Sequence, residues 1–229
     1  MIGVLIPAHN EAQHLKACLL SVKRSLAYLQ RHGLQGVVVV VADACTDLTP
    51  QIARQYADHV LVINARNVGE ARRSGAQWLI EYGVDWIACT DADSQVPLNW
   101  LHAQYLYQAD VFCGIVRIED WGDYSSDVIK AFHATVPQDG HPHIHGANMG
   151  ISRDAYLQVG GFLPATAHED VALIRRCEQA GLRIARRIQP SVVTSARRDA
   201  RAREGFGDFL LKLEGNILQS RGVSGESFG

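Results

Sequence analysis

The chain has 229 residues, a formal net charge of -2 and 47% hydrophobic residues. That length and composition are ordinary for a globular enzyme or binding domain with a substantial core. The small net charge argues against a general attraction to nucleic acid or to an anionic membrane surface. The five cysteines are scattered without a CxxC pair, so neither a disulfide framework nor a zinc knuckle is expected.

The first residues, "MIGVLIPAHNE", have no positive flank and are typical of a strand rather than a signal peptide. No apolar run approaches the roughly 20 residues that span a bilayer. These features predict a cytoplasmic protein without a transmembrane segment, and they leave peripheral contact with the inner face of the membrane open.

Strand and helix signals alternate through the first hundred residues. Continuous apolar runs predict strands at 2–6, 37–42, 59–64 and 84–90. Asn10 followed by Gln13 has the pattern of a capping box, which predicts that a helix begins there and ends at Gly33. Further helices are predicted from Thr49 to about Ala57 and over 69–83.

The second half of the chain is less regular. Strands are predicted at 111–118, 147–152, 183–188 and 191–195, and helices at 124–136, 169–180 and 206–219. The alternation of strands and helices predicts an α/β fold, with a mainly parallel central sheet flanked by helices. We expect one domain, with a nucleotide-binding half at 1–93, an acceptor-side half at 94–195 and a C-terminal lid or helix segment at 196–229.

Two carboxylates follow the fourth strand, in "TDADS". If the backbone stays extended there, Asp91 and Asp93 point to the same side. Two like charges so close are tolerable when a cation neutralises them, and Mg²⁺ or Mn²⁺ prefers carboxylates combined with phosphate oxygens. The alternative is an ordinary turn, because Asp and Ser are common after strands.

Polar residues also follow the second strand, in "ADACTDLTP". Asp43, at the tip of this strand, can accept hydrogen bonds from a nucleobase edge. Asp47 and Thr49 are expected to cap the next helix. No GxGxxG or GxxxxGK[ST] motif occurs in the chain, which excludes the usual dinucleotide fingerprint and the P-loop.

In "ARNVGEARRSG", Asn67 and Gly69 precede a helix, and Arg72 falls in its first turn. An arginine there opposes the helix macrodipole. The position is understandable if Arg72 meets an anion, and a solvated surface arginine is an equally good interpretation.

The segments "IPAHNE", "DACTDLT", "NVGEARRSG", "TDADS", "GANMGISRDAYLQVGGF" and "HEDVAL" occur in a characteristic order and spacing. In this respect the chain, from residue 2 to about 195, resembles the family 2 glycosyltransferases of the GT-A fold. The resemblance implies inverting transfer of a sugar from a nucleotide-sugar donor, with UDP as the first choice of nucleotide and GDP as the second.

The resemblance also implies roles for individual residues. The implied donor-binding positions are Pro7, Ala8, Asn10, Glu11, Asp43, Asn67, Gly69, Arg72, Asp91, Ala92 and Asp93. The D-x-D motif is implied to hold ribose and a divalent cation, Mn²⁺ or Mg²⁺, with Asp93 as the direct ligand and Asp91 beside it. Asp170, next to Glu169, is implied to be the catalytic base, which deprotonates the acceptor hydroxyl. A helix-capping role for this acidic pair is the alternative.

The acceptor side is expected to include Gly146, Asn148 and His168. Asn148 could form hydrogen bonds with hydroxyls of the donor or the acceptor sugar. The histidines at 141, 143 and 145 alternate, so they could share one face as metal ligands, and His145 is the best candidate. The alternative is a solvated histidine loop.

Seven arginines and one acidic residue lie between Arg183 and Arg203. Because arginine binds phosphate bidentately, Arg197 and Arg198 are predicted to close over the donor diphosphate as a lid. A solvated basic turn is one alternative, and contact with the phosphate of a lipid carrier is another.

Two other functions are compatible with an α/β fold of this kind. A catalytically silent nucleotide- or sugar-binding module would lack turnover. A nucleotidyltransferase of related fold would carry a glycine- and lysine-rich loop after the first strand, which "IPAHNEAQH" lacks. The acceptor could be a saccharide, a lipid carrier or a small molecule, and no nucleic-acid partner is expected.

Overall fold

The structure is a computed structural model that describes residues 1–134, 136–198 and 205–223, with the backbone alone for 220–223. The strands of the described part are β1 (Ile2–Ala8), β2 (Gly36–Asp43), β3 (His59–Ile63), β4 (Trp86–Cys89), β5 (Val111–Arg117), β6 (Met149–Ser152) and β7 (Ile184–Val193). The helices are α1 (Leu15–Arg31), α2 (Thr49–Tyr56), α3 (Val68–Tyr82), α4 (Trp100–Leu106), α5 (Ser126–His133), α6 (Arg153–Gln158), α7 (Glu169–Gln179) and α8 (Phe206–Val223).

The strands form one seven-stranded sheet in the order β3-β2-β1-β4-β6-β5-β7. β6 runs antiparallel to both of its neighbours, and the other pairs are parallel. The prediction of an α/β fold with a mainly parallel sheet and flanking helices is therefore confirmed.

The sheet is covered on both faces, as its continuous apolar strands require. Val4 and Ile6 of β1 belong to the core cluster that contains Leu19 of α1. Leu5, which points to the opposite face, belongs to the cluster that contains Leu79 of α3. Burial on both faces holds the carboxyl ends of the central strands in fixed positions.

The helix ends are set by local chemistry. Asn67 caps α3 by accepting the backbone N–H of Glu70 at 2.9 Å, and Gly83 ends that helix with a left-handed φ of 94°. The predicted cap at Asn10 is wrong, because α1 begins at Leu15 and Asn10 itself has a φ of 54°. The side-chain oxygen of Asn10 instead accepts the backbone N–H of Thr46 at 2.8 Å.

Several other boundaries differ from the expectation. The predicted strands at 183–188 and 191–195 are one strand, β7. The short helices α4 and α6 were not predicted, because each has at most seven residues and shows little periodicity. Among the described helices, none is both long and apolar enough to cross a membrane.

A third apolar cluster joins the C-terminal helix to the body of the protein. It contains Val128 of α5 and Leu210 of α8, together with Tyr124 and Ala196. The predicted final helix is confirmed by α8. In the predicted lid segment, residues 199–204 and 224–229 lie outside the described part of the chain.

The prediction that Asn148 binds sugar hydroxyls is not supported by its position. Its side chain is fully buried, its oxygen accepts the indole N–H of Trp100, and its nitrogen donates to the carbonyls of Ile115 and Pro190. These three bonds occupy most of its hydrogen-bonding capacity and tie α4 to β5 and β7.

We expect Asn148→Ala to lower the free energy of unfolding by about 3 kcal/mol, because it leaves buried polar partners unsatisfied. Denaturant titration of the variant measures this change, and Asn64→Ala at an exposed position is the matched control. A loss no larger than that of the control would contradict a structural role for Asn148.

Candidate active site

The candidate site lies where the central parallel strands end. β1 is paired in parallel with β2 on one side and with β4 on the other. The polar residues that follow these three strands therefore meet at one edge of the sheet, where ligands bind in open α/β folds.

Asp43 ends β2 and organises the loop that leads into α3. One of its carboxylate oxygens accepts the backbone N–H groups of Ala65 and Arg66, and the other accepts that of Asn67, at 2.7–2.9 Å. Three of its roughly four lone-pair directions are occupied by the protein. In this structure Asp43 shapes the loop beside the site. Its carboxylate has little remaining capacity to accept hydrogen bonds from a nucleobase.

The loop after β1 is joined to the loop after β2. Pro7 and Ala8 lie within β1, and Ala8 is buried. The backbone N–H of Glu11 donates to the hydroxyl of Thr49 at 2.7 Å, and Asp47 accepts the N–H groups of Ala12 and Thr49. Asp47 thus accepts the first N–H of α2, as expected, but the cap residue itself is Leu48. Thr49 is the first residue of the helix and its hydroxyl serves the first loop, so the prediction that Thr49 caps α2 is wrong.

A cavity of about 530 Å³ opens between these two loops. Its lining residues are Asn10, Ala12, Gln13, His14, Thr46, Asp47 and Arg197. Gln13, His14 and Thr46 were not predicted as site residues, although they lie in the loops that follow β1 and β2. The volume is that of a small-molecule site.

The backbone after β4 turns at Ala92 and Asp93 instead of continuing extended. The premise that Asp91 and Asp93 share one side of an extended strand is therefore wrong, and the side chain of Ala92 is buried in the core. Each carboxylate contacts a different arginine, Asp91 meeting Arg72 at 2.6 Å and Asp93 meeting Arg197 at 3.1 Å.

Asp93 lies in an environment that disfavours its charge. Burial, together with the negative charge of Asp91, raises the pKa of Asp93 to about 7, although Arg197 opposes the change. A cation bound beside this carboxylate would relieve that cost.

Arg72 is buried, with 2% of its side chain exposed, and it joins the two acidic motifs. Its Nη2 donates to Asp91 at 2.6 Å and its Nε donates to Glu169 at 2.8 Å. Burial alone would lower the pKa of Arg72, but the two carboxylates outweigh that effect and raise it. Arg72 therefore meets protein carboxylates, so the interpretation as a solvated surface arginine is wrong.

Arg72 also explains the glycine at position 146. A Cβ at Gly146 would collide with Nη2 of Arg72. The absence of a side chain lets the backbone N–H of Gly146 donate to Oδ2 of Asp170 at 2.7 Å. The other oxygen of Asp170 accepts the N–H of Val171 at 2.7 Å.

The adjacent residues Glu169 and Asp170 have different roles. Glu169 is buried against Arg72, so its carboxylate belongs to an internal ion pair rather than to an open site. Asp170 is only partly buried, in the first turn of α7. His168, just before this pair, has a left-handed φ of 59°, a conformation that is uncommon outside glycine.

Gly69 at the start of α3 is a close-packing position. Its N–H donates to the carbonyl of Ala165, and a Cβ would collide with the carbonyl oxygen of Leu163. Together with the capping role of Asn67, this contact gives both predicted donor-binding residues a structural function in holding the helix start.

The histidine loop does not form a metal centre. His143 and His145 stack with ring centroids 5.9 Å apart, and His145 contacts Phe206 edge-on. Burial and the neighbouring His143 lower the pKa of His145 to about 4. Within the described part of the chain, no group of three or more His, Cys, Asp or Glu side chains is arranged to hold a metal ion.

The two predicted lid arginines point in different directions. Arg197 forms a bidentate pair with Glu11, at 2.5 and 2.7 Å, beside Asp93. Arg198 instead pairs with Asp123 and Glu214 and lies over the ring of Tyr124. The structure therefore brings Arg197 to the site, and the expectation for Arg198 is corrected because local carboxylates hold it against the third apolar cluster.

Comparison with known proteins agrees with this geometry. The family model described as glycosyl transferase family 2 matches residues 3–160, more than half of the chain. No curated protein matches the chain.

Among solved structures, the fragment 1-349 of S. aureus TarS in complex with UDP-GlcNAc aligns with a TM-score of 0.67 and 14% identity over 93% of this chain and 64% of that one. The mannosyltransferase PcManGT from Pyrobaculum calidifontis in complex with GDP-Man and Mn²⁺ aligns with a TM-score of 0.63 and 18% identity, over 87% of this chain and 58% of that one. M. tuberculosis glucosyl-3-phosphoglycerate synthase aligns with a TM-score of 0.57 and 18% identity, over 95% of this chain and 78% of that one.

This chain spans less than two thirds of the TarS fragment and of PcManGT. At these identities the structural matches establish the GT-A fold alone. Together with the family match over most of the sheet, they identify the chain as a member of glycosyl transferase family 2.

Proposed function

We propose that this protein transfers a sugar with inversion, and with the help of a divalent cation, from a nucleotide sugar to an acceptor hydroxyl. UDP is the favoured nucleotide and GDP the second. The observation that carries the proposal is the bridge made by Arg72, which joins the D-x-D motif to the helix that begins with Glu169 and Asp170. Carboxylates for the donor and for the acceptor proton thereby border one site.

The residues present fit a divalent cation. Asp93 and Asp91 would hold it, because hard carboxylate oxygens suit Mg²⁺ and Mn²⁺ and phosphate oxygens complete the shell. Burial and the charge of Asp91, which raise the pKa of Asp93, support this assignment because a cation beside the carboxylate would relieve their cost. When bound, such a cation neutralises the charge that develops on a leaving diphosphate.

Asp170 is the group proposed to accept the proton of the acceptor hydroxyl. The N–H groups of Gly146 and Val171 fix the direction of its carboxylate. A fixed carboxylate is effective as a general base when the hydroxyl lies within hydrogen-bond reach. Inversion additionally requires that the hydroxyl approach the sugar from the face opposite the leaving group.

Turnover of the donor tests this proposal. The protein is incubated with Mn²⁺ and UDP-glucose, UDP-GlcNAc or GDP-mannose, and release of the nucleoside diphosphate is followed with and without pooled sugar and lipid acceptors. We expect release from one donor class, faster with an acceptor, and a product of inverted anomeric configuration. Nucleotide binding without release from any donor would instead support a silent binding module.

Removing the charge of Arg197 should strengthen the binding of Mn²⁺ and weaken the binding of the donor. Because Arg197 pairs with Asp93 in the described state, Arg197→Ala should strengthen Mn²⁺ binding in the absence of nucleotide. The same variant should raise the donor KM about tenfold, since a charge-assisted contact to the diphosphate is lost. Arg198→Ala is the matched control, and equal effects of both variants would contradict the distinction between them.

Binding of Mn²⁺ should depend on pH with a midpoint near 7. The ligand carboxylate must be deprotonated, and burial raises the pKa of Asp93 to about 7. Lowering the pH from 8 to 6 should therefore weaken Mn²⁺ binding about tenfold, as measured by the electron paramagnetic resonance signal of free Mn²⁺. Affinity that is constant over this range would contradict the assigned environment of Asp93.

A further inference from the structure

A second cavity, of about 490 Å³, lies against α7, the helix that carries the candidate base in its first turn. One wall is the segment 140–144, the other is formed by Val171, Arg175 and Glu178 of α7, and Arg186 of β7 completes the lining. None of the predicted donor-binding residues lines this cavity, which we call the α7 cavity. Its size lies in the range of small-molecule sites.

Both walls of the α7 cavity are connected to Asp170. Val171 of one wall donates its N–H to Oδ1 of Asp170. The other wall continues from Ile144 to Gly146, whose N–H donates to Oδ2. A molecule held in the cavity would therefore contact the two segments whose N–H groups hold the carboxylate of Asp170.

The loop wall is anchored at its far end as well. The backbone N–H of Gly140 donates to the carbonyl of Arg186 at 2.8 Å, and Asp139 pairs with Arg187 and accepts the N–H of Ile188. Since the loop is fixed to β7 at one end and to Asp170 at the other, the cavity has defined walls.

The charge of the α7 cavity is positive. Arg186 is held by Glu178 at 2.6 Å and by the carbonyls of His141 and His143. Arg175 is exposed and forms no ion pair within the described part of the chain. Two arginines and one glutamate leave a net charge of +1, with the guanidinium of Arg175 available for a ligand.

We propose that the α7 cavity binds the acceptor substrate through an oxyanion, a phosphate or a carboxylate, that the acceptor carries near its reactive hydroxyl. The inference rests on the proposed function, because it treats Asp170 as the base. Arg175 is the anchoring residue, since a planar guanidinium pairs with both oxyanions bidentately. The apolar contacts come from Pro142, Ile144 and Val171.

The test is a calorimetric titration of three probes that share hydroxyl groups and differ in charge: glycerol 3-phosphate, glycerate and glycerol. The protein is first saturated with UDP and Mg²⁺, so that the donor diphosphate site is filled. Arg175→Ala and Arg175→Glu are compared with the wild type, and Arg24→Glu, on the exposed face of α1, is the matched charge control.

We expect glycerol 3-phosphate, glycerate or both to bind at least tenfold more tightly than glycerol, and the two Arg175 variants to lose that preference while Arg24→Glu keeps it. Tighter binding of the phosphate than of the carboxylate would identify which oxyanion the cavity prefers. Equal binding of the three probes, or a preference that survives in both Arg175 variants, would overturn the inference.

The UDP titration that precedes each experiment separates the two proposals. If UDP and Mg²⁺ do not bind, the proposed function fails whatever the probes do. If they bind with unchanged affinity in Arg175→Glu, a loss of probe binding reports on the α7 cavity alone.

Discussion

Asp170→Asn should lower kcat about 10³-fold, an effect within the range of general base catalysis. The amide cannot accept the acceptor proton, whereas its oxygen can still accept the N–H of Gly146 or Val171. The loop and helix should therefore keep their positions, and binding of UDP with Mn²⁺ should stay within about twofold of the wild type. Nucleoside diphosphate release under saturating donor, together with calorimetry, measures both quantities.

The matched control is Asp154→Asn, whose side chain is 89% exposed at the start of α6. This variant should leave kcat unchanged. An Asp170→Asn enzyme that retained more than a tenth of the wild-type kcat would contradict the assignment of Asp170 as the base.

Arg72→Ala should affect both folding and binding. It leaves Glu169 buried without its cationic partner, and removal of one member of a buried pair costs about 3–5 kcal/mol of unfolding free energy. Nucleotide binding should be lost as well, because Asp91 is no longer held. Denaturant titration and calorimetry of the same preparation measure the two effects.

The control is Arg73→Ala, which removes an arginine that is 53% exposed in the same turn of α3. Because the alanine variant could fail to fold, the double variant Arg72→Met, Glu169→Leu provides a second test. It replaces the buried pair with apolar side chains and should recover much of the stability, but not nucleotide binding. Full activity in this double variant would show that the bridge is dispensable.

The parts of the fold that were predicted correctly have strong local signals. The continuous apolar runs of β1 and β2 predict buried strands, because a strand that is buried on both faces requires such a run. Gly83 ends α3 as predicted, because glycine adopts the left-handed backbone of a helix end without strain. Asn67 is predicted only as a donor-binding residue, and its capping of α3 is a finding of the structure. Asn10 has the same kind of local signal, but a partner across the site, Thr46, outcompetes the helix start for its side chain.

The site was harder to predict where its contacts join distant segments. Arg72 and Glu169 are 97 residues apart, so no spacing rule relates them. Arg197 and Arg198 are adjacent and chemically identical, and only the positions of Glu11 and Glu214 in the fold distinguish them. The sequence predicts a ligand-binding role for Asn148, because its burial under α4 and β7 depends on a helix that the sequence pattern does not reveal.

The most direct test of the central claim is calorimetric titration of UDP in the presence of Mn²⁺, in the presence of EDTA, and with Asp93→Asn. GDP is titrated in parallel to decide between the two donor classes. We predict that one nucleotide binds with Mn²⁺, and that binding falls at least tenfold with EDTA and in the variant. Binding of neither nucleotide to folded wild-type protein, or binding that is indifferent to both Mn²⁺ and Asp93, would contradict a metal-assisted nucleotide-sugar site at this edge of the sheet.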